Sequence, residues 1–101
     1  MAKKFALIII VHFRPVWNNL PEEAQMSFGL RVRAAAQELG VTAAVGYTLT
    51  TQGSFLEVWE ADDKATLETF RQRLDMLGYK QYYDQVLMMG EREPSWINVT
   101  G

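Results

Sequence analysis

The chain has 101 residues, 49 % of them hydrophobic and 22 % charged, the balance of a single soluble globular domain with a modest core. Its formal net charge of −2 argues against the basic surface that a sequence-independent grip on nucleic acid requires, and no basic amphipathic run suggests binding to a membrane. With no cysteine and one histidine, disulfides, thiolate nucleophiles, Cys-based metal or iron–sulfur sites and a multi-His metal site within one chain are excluded, and a reducing cytoplasm fits.

Ala2-Lys3-Lys4 before an apolar run imitates the start of a signal peptide. Arg14 interrupts that run early and no small-residue cleavage site follows, so Lys4 to Arg14 reads as a strand. Phe5, Leu7, Ile9, Val11 and Phe13 point one way; Ala6, Ile8, Ile10, His12 and Arg14 point the other. A strand apolar on both sides belongs in the middle of a sheet. Pro15 ends it, and Val16 to Leu20 is expected to be a loop. Pro21 then opens a helix reaching to about Leu39, with Glu22 and Glu23 at the end where the helix dipole favours anions. Phe28, Val32, Ala35 and Leu39 form its apolar stripe, and Gly40 stops it.

Val41 to Leu49 alternates and pairs, through a turn at Thr51 to Ser54, with Phe55 to Glu60. In strict alternation Val41, Ala43, Val45, Tyr47 and Leu49 share one face of the first strand. Asp62-Asp63 caps a second helix whose stripe is Leu67, Phe70, Leu74 and Leu77, ended by Gly78. Tyr79 to Tyr83 is an aromatic link with room for one helical turn, and Gln85 to Met89 is the last core strand. Residues 94–101 form a tail in which Trp96 and Ile97 are expected to pack on a partner chain. Asn98-Val99-Thr100 matches a glycosylation acceptor, read here as a chance match.

The order strand, helix, strand, strand, helix, strand predicts one α+β domain over 1–101, a ferredoxin-like βαββαβ sandwich with an antiparallel sheet and two helices on one face. Its first and third strands are expected at the centre. The other sheet face would expose residues such as Ile8 and Ile10, too much apolar surface for a soluble monomer. A homodimer packed sheet on sheet follows as an expectation.

This order, the length and the stretch Leu74-Asp75-Met76-Leu77-Gly78-Tyr79-Lys80-Gln81-Tyr82-Tyr83-Asp84-Gln85-Val86 resemble the dimeric α+β barrel superfamily, and that stretch resembles muconolactone isomerases. Pro15-Val16-Trp17, Leu20-Pro21-Glu22-Glu23 and Val58-Trp59-Glu60 are similar to the darcynin family, whose function is not established. The superfamily resemblance implies a pocket for small organic molecules more than any one reaction, since its members include cofactor-free monooxygenases, lactone isomerases, mutarotases, cyclases and haem-binding proteins. It supplies no catalytic set that maps onto these positions.

The candidate catalytic residues are therefore read from their own chemistry. His12 titrates near neutral pH unaided and sits at a strand end, as a general acid or base or as a satisfied structural histidine. Glu57 lies mid-strand between Leu56 and Val58, where burial would raise its pKa and make it a base for proton abstraction next to a carbonyl. An interface ion pair is its structural alternative. Arg14, Trp17, Tyr47, Trp59, Tyr82 and Tyr83 are the candidates for binding substrate: Arg14 for an anion, the aromatic residues as pocket walls. No metal site and no cofactor is expected, although His12 offers an axial nitrogen to a haem. No phosphate loop and no serine elbow is present. These readings point to a cofactor-free enzyme that isomerises, cyclises or oxygenates a compact cyclic or aromatic metabolite. The alternative is a non-catalytic homodimer that carries a ligand or an interaction.

Overall fold

The computed structural model describes residues 3–51 and 53–93. Its first strand, β1 (Phe5–Phe13), follows the expected parity: Leu7, Ile9 and Val11 are buried, Ala6, Ile8 and Ile10 half-buried, and His12 exposed. The chain continues through α1 (Pro15–Asn18), α2 (Glu22–Leu39), β2 (Thr42–Leu49), β3 (Ser54–Ala61), α3 (Lys64–Met76), α4 (Tyr79–Tyr82) and β4 (Tyr83–Glu91). The strands form one four-stranded antiparallel sheet in the order β2-β3-β1-β4, with β1 and β3 central. Element order and strand order are compatible with a ferredoxin-like fold.

Each long helix forms where the sequence supplies both a stripe and its ends. Glu22 and Glu23 occupy the first turn of α2, and Gly40 closes it at φ 74, a left-handed conformation that glycine adopts without Cβ strain. The Asp63 carboxylate caps α3 by accepting from the Thr66 N–H at 2.7 Å. Phe28, Val32 and Ala35 of α2 and Leu67, Phe70 and Leu74 of α3 join Leu7, Ile9 and Val11 in one core cluster. Both helices thus cover the same sheet face. No described helix is long and apolar enough to cross a membrane.

Two local features differ from the expected pattern. Pro15 to Asn18 is one helical turn rather than loop, because proline fixes a helical φ and lacks the N–H that a first turn cannot satisfy. In β2, Ala43 pairs with Trp59 and Val45 with Val58, so Ala44 is an extra residue in a bulge. The bulge shifts the alternation by one, so Ala43 faces the helices while Val45 and Tyr47 face away. The expected single face of Val41, Ala43, Val45, Tyr47 and Leu49 is split for this reason. The expected packing of the 94–101 tail lies outside the described residues.

The core makes a sharp contrast testable. Phe70 is 0 % exposed and Met76, on the same helix, is 81 % exposed. Phe70→Ala should lower unfolding free energy by about 3–5 kcal/mol, whereas Met76→Ala should stay within about 0.5 kcal/mol of wild type; urea unfolding reads both.

Candidate functional site

The site is organised by a carboxylate on the helix-covered side of the sheet. Glu57 pairs across β1 with Ile9, one of the most buried residues, and side chains of directly opposed residues share a face. Strand parity therefore drives Glu57 toward the core. Two donors receive it there. Trp59, two residues on and on the same face, donates its indole Nε1–H to Glu57 Oε1 at 2.9 Å. Tyr79 donates its hydroxyl to the same oxygen at 3.0 Å.

Tyr79 reaches this position because of the residue before it. Gly78 has φ 91, a left-handed turn after α3 that redirects the chain into α4, with Tyr79 2 % exposed. Both hydrogen bonds fall on Oε1, and Oε2 accepts from no protein donor among the described residues. No buried side-chain oxygen or nitrogen there lacks a partner, so Oε2 is open to the adjoining space rather than sealed.

Electrostatics follow from this placement. Burial pushes the Glu57 pKa above its ordinary 4.5, and the hydrogen bonds from Trp59 and Tyr79 pull against that rise. Burial, and next the Glu57 charge, push the Tyr79 hydroxyl far above its usual range, so it remains a donor. Tyr83 is raised by the same two causes in the same order.

Glu57 lines a cavity of about 610 Å³ between α2 and the sheet. Two adjacent rows of α2 line it, each spaced at i, i+4. Phe28, Val32 and Ala36 form the buried row; Gly29, Arg33 and Gln37 form the exposed row beside it. Thr42 and Ala43, at the β2 bulge, line the opposite side, with Trp59, Tyr79 and Tyr83 completing the wall. Bulges commonly bend an edge strand beside a site, and this one lies next to the Glu57 strand.

The expected site residues divide clearly. Glu57, Trp59 and Tyr83 meet at the cavity. Trp17 and Tyr82 stand behind it, with ring centroids 5.2 Å from Tyr83 to Trp17 and 5.0 Å from Phe28 to Tyr82. Arg14 leaves the site and pairs with Asp84 at 2.8 Å. Tyr47 is 62 % exposed on the opposite sheet face. His12 also lies on that face, opposite Asp84 in register, so the structure does not bring His12 and Glu57 together.

Arg33 and Gly29 are the residues that sequence reading passed over, and Tyr79, one of the aromatic residues around the strand ends, was not singled out from them. Gly78 signalled a helix stop but not the direction of the side chain after it, and Arg33 and Gly29 lie on the row next to the Phe28–Val32 stripe. Among the described residues, no group of three or more His, Cys, Asp or Glu side chains is placed to hold a metal ion. No protein-family model matches the chain, and no curated protein matches it in sequence.

Linkage gives the sign of a pH test. A raised folded-state pKa means the native protein keeps the Glu57 proton where the unfolded chain has released it, so this stabilisation is present below about pH 4.5 and is lost as pH rises through the folded pKa. Glu57→Gln should gain on wild type in stability as pH climbs through that window, read as the difference between two melting-temperature profiles. Tyr79→Phe removes a donor that favours the carboxylate and should raise the Glu57 pKa further, measured by NMR titration of its side-chain carbon.

Proposed function

We propose that the chain is a small-molecule enzyme in which Glu57 moves a proton on a compact cyclic or aromatic substrate seated between α2 and the sheet. One observation carries this reading: a carboxylate with a raised pKa lines an aromatic-walled cavity, with one oxygen held by two donors and the other without a donor among the described residues. A cavity of about 610 Å³ falls within the usual range of small-ligand sites, which combine apolar walls with a few placed polar groups. Trp59 and Tyr79 fix the orientation of the carboxylate, and burial raises its pKa, which makes its ionised form a stronger general base.

The chemistry is cofactor-free. Ionised Glu57 takes a proton through Oε2 from a carbon next to a carbonyl, leaving an enolate. Return of that proton to a different carbon isomerises the substrate; attack of the enolate on a second carbonyl closes a ring; its reaction with dioxygen oxygenates it. Tyr83, also on the cavity wall, has a hydroxyl that stays protonated and is available to an enolate oxygen. A carrier of the same ligands is the alternative, and Glu57 separates the two. With a substrate found by thermal-shift screening of lactones, phenolic polyketides and small sugars, Glu57→Gln should lower turnover by about 10²–10⁴-fold while binding persists. Turnover unchanged by that substitution would sink the catalytic reading.

The same reading includes a homodimer of the dimeric α+β barrel type, formed through the uncovered sheet face. Ala6, Ile8, Ile10, Leu56, Val58, Val86 and Met88 occupy the middle of that face. Its charged residues stand at the strand ends: His12 opposite Asp84, and Glu60 held by Arg92 at 2.6 Å. An uncharged centre accepts an equally apolar surface, and a second copy supplies one. Four strands of 8 or 9 residues cover a flat area of about 500 Å², so two copies bury upward of about 1,000 Å², the lower end of specific interfaces. Light scattering at micromolar concentration should give twice the mass of the 11.6 kDa chain, and Ile10→Glu, at the centre of that face, should shift it to monomer. A wild-type monomer overturns the dimer.

A further inference from the structure

We propose that the cavity takes an organic acid, with Arg33 fixing its carboxylate at the mouth while the reacting part of the ring lies inward at Glu57. This rests on the reading of the cavity as a ligand site and adds the chemical class of the ligand.

The starting observation is a charge count. The sequence has 10 lysines and arginines, all within the described residues. Lys3, Lys4, Arg14, Arg71, Arg73, Lys80 and Arg92 each pair with a carboxylate. Lys64 lies over the Phe5 ring and Arg31 over the Phe28 ring. Arg33 has neither an acidic nor an aromatic partner among the described residues, and it is the cation on the cavity wall. In a chain of net charge −2 with acids to spare, the positions where a helix would supply one, i−4 and i+4, hold Gly29 and Gln37.

That row fits an anionic ligand in other ways. Gln37 adds amide donors one turn beyond Arg33. Gly29 leaves room one turn before: a Cβ built there meets nothing within 4 Å. The polar side chains other than Glu57 and the tyrosines are thus gathered on α2's exposed row, while Phe28, Val32 and Trp59 leave the interior apolar. A ligand with one charged end and an apolar ring is oriented by this division, acid outward and ring inward. A planar guanidinium matches a carboxylate with two parallel hydrogen bonds. With one guanidinium and no lysine on the cavity wall, a monoanionic carboxylate is compensated and a phosphate dianion is not.

The test uses matched probes. Benzoate, 1-naphthoate and cyclohexanecarboxylate are titrated beside their neutral methyl esters and phenyl phosphate, by calorimetry at pH 7. The proteins are wild type, Arg33→Gln, Arg33→Lys and Gly29→Phe. Wild type should bind an acid at least about tenfold tighter than its ester, and tighter than phenyl phosphate. In Arg33→Gln the acid alone should weaken and the ratio fall near one, with Arg33→Lys recovering part of it. Gly29→Phe fills the open mouth and should abolish binding of acid and ester alike.

Esters bound as tightly as acids by wild type, or acid binding untouched by Arg33→Gln, would overturn the carboxylate site while leaving the cavity reading in place, provided Gly29→Phe still abolishes binding. A preference for phenyl phosphate would overturn the carboxylate assignment in the same way. Absence of binding by every acid and ester would overturn both the inference and the ligand site on which it rests.

Discussion

The molecule depends on a carboxylate that the sheet forces toward the core. Glu57 sits opposite Ile9 in the pair of central strands, and strand parity leaves it no exposed alternative without turning Leu56 and Val58 inward. An unpartnered carboxylate there would cost several kcal/mol of desolvation. Trp59 and Tyr79 reduce that cost by donating to one oxygen, and the cavity leaves the other accessible. The site is therefore a compromise between solvation and burial. A fully buried carboxylate would stay protonated, and a solvated one would keep its ordinary pKa.

The two sides of the sheet solve different problems. On the helix side, Phe28, Phe70 and Leu67 fill most of the space, and a cavity persists where α2 runs beside β2. Two features keep that gap open: the bulge at Ala44, and the small side chains Ala36 and Ala43 on facing elements. On the other side the strands present alternating aliphatic residues with no helix over them among the described residues. The same alternation that lets β1 occupy the centre also produces this face, since a strand apolar on both sides calls for two covers and the described helices supply one.

Much of this was legible in the sequence because it rests on local period. The parity of Lys4 to Arg14, the stripes ending at Gly40 and Gly78, and the Asp63 cap each depend on neighbouring residues, and the structure keeps them. Glu57 stood out for the same reason, a charge inside an apolar alternation. What stayed hidden was register and anything that breaks period. The Ala44 bulge puts Tyr47 on the face opposite the one shared with Ala43, and no residue type announces it. Register decides that Glu57 meets Ile9, while His12 meets Asp84 across β4 on the other face. Arg14 looked available for an anion until the start of β4 placed Asp84 beside it.

Tyr79 shows how a local signal acquires meaning only in three dimensions. Gly78 reads in sequence as a helix stop, and it is one, but its left-handed φ also sets where the next side chain goes. A Cβ at Gly78 would be strained by conformation and would approach the Gln81 side chain at 3.3 Å. Gly29 is the opposite case. It lies mid-helix with open space around it, where alanine would stabilise α2 by about 0.5–1 kcal/mol without a clash. A fold optimised for stability alone would have alanine there. Its absence sits on the row that lines the cavity, one turn from Arg33, which has no acidic or aromatic partner among the described residues. The energetic anomaly and the electrostatic one therefore fall on the same few ångströms of helix surface.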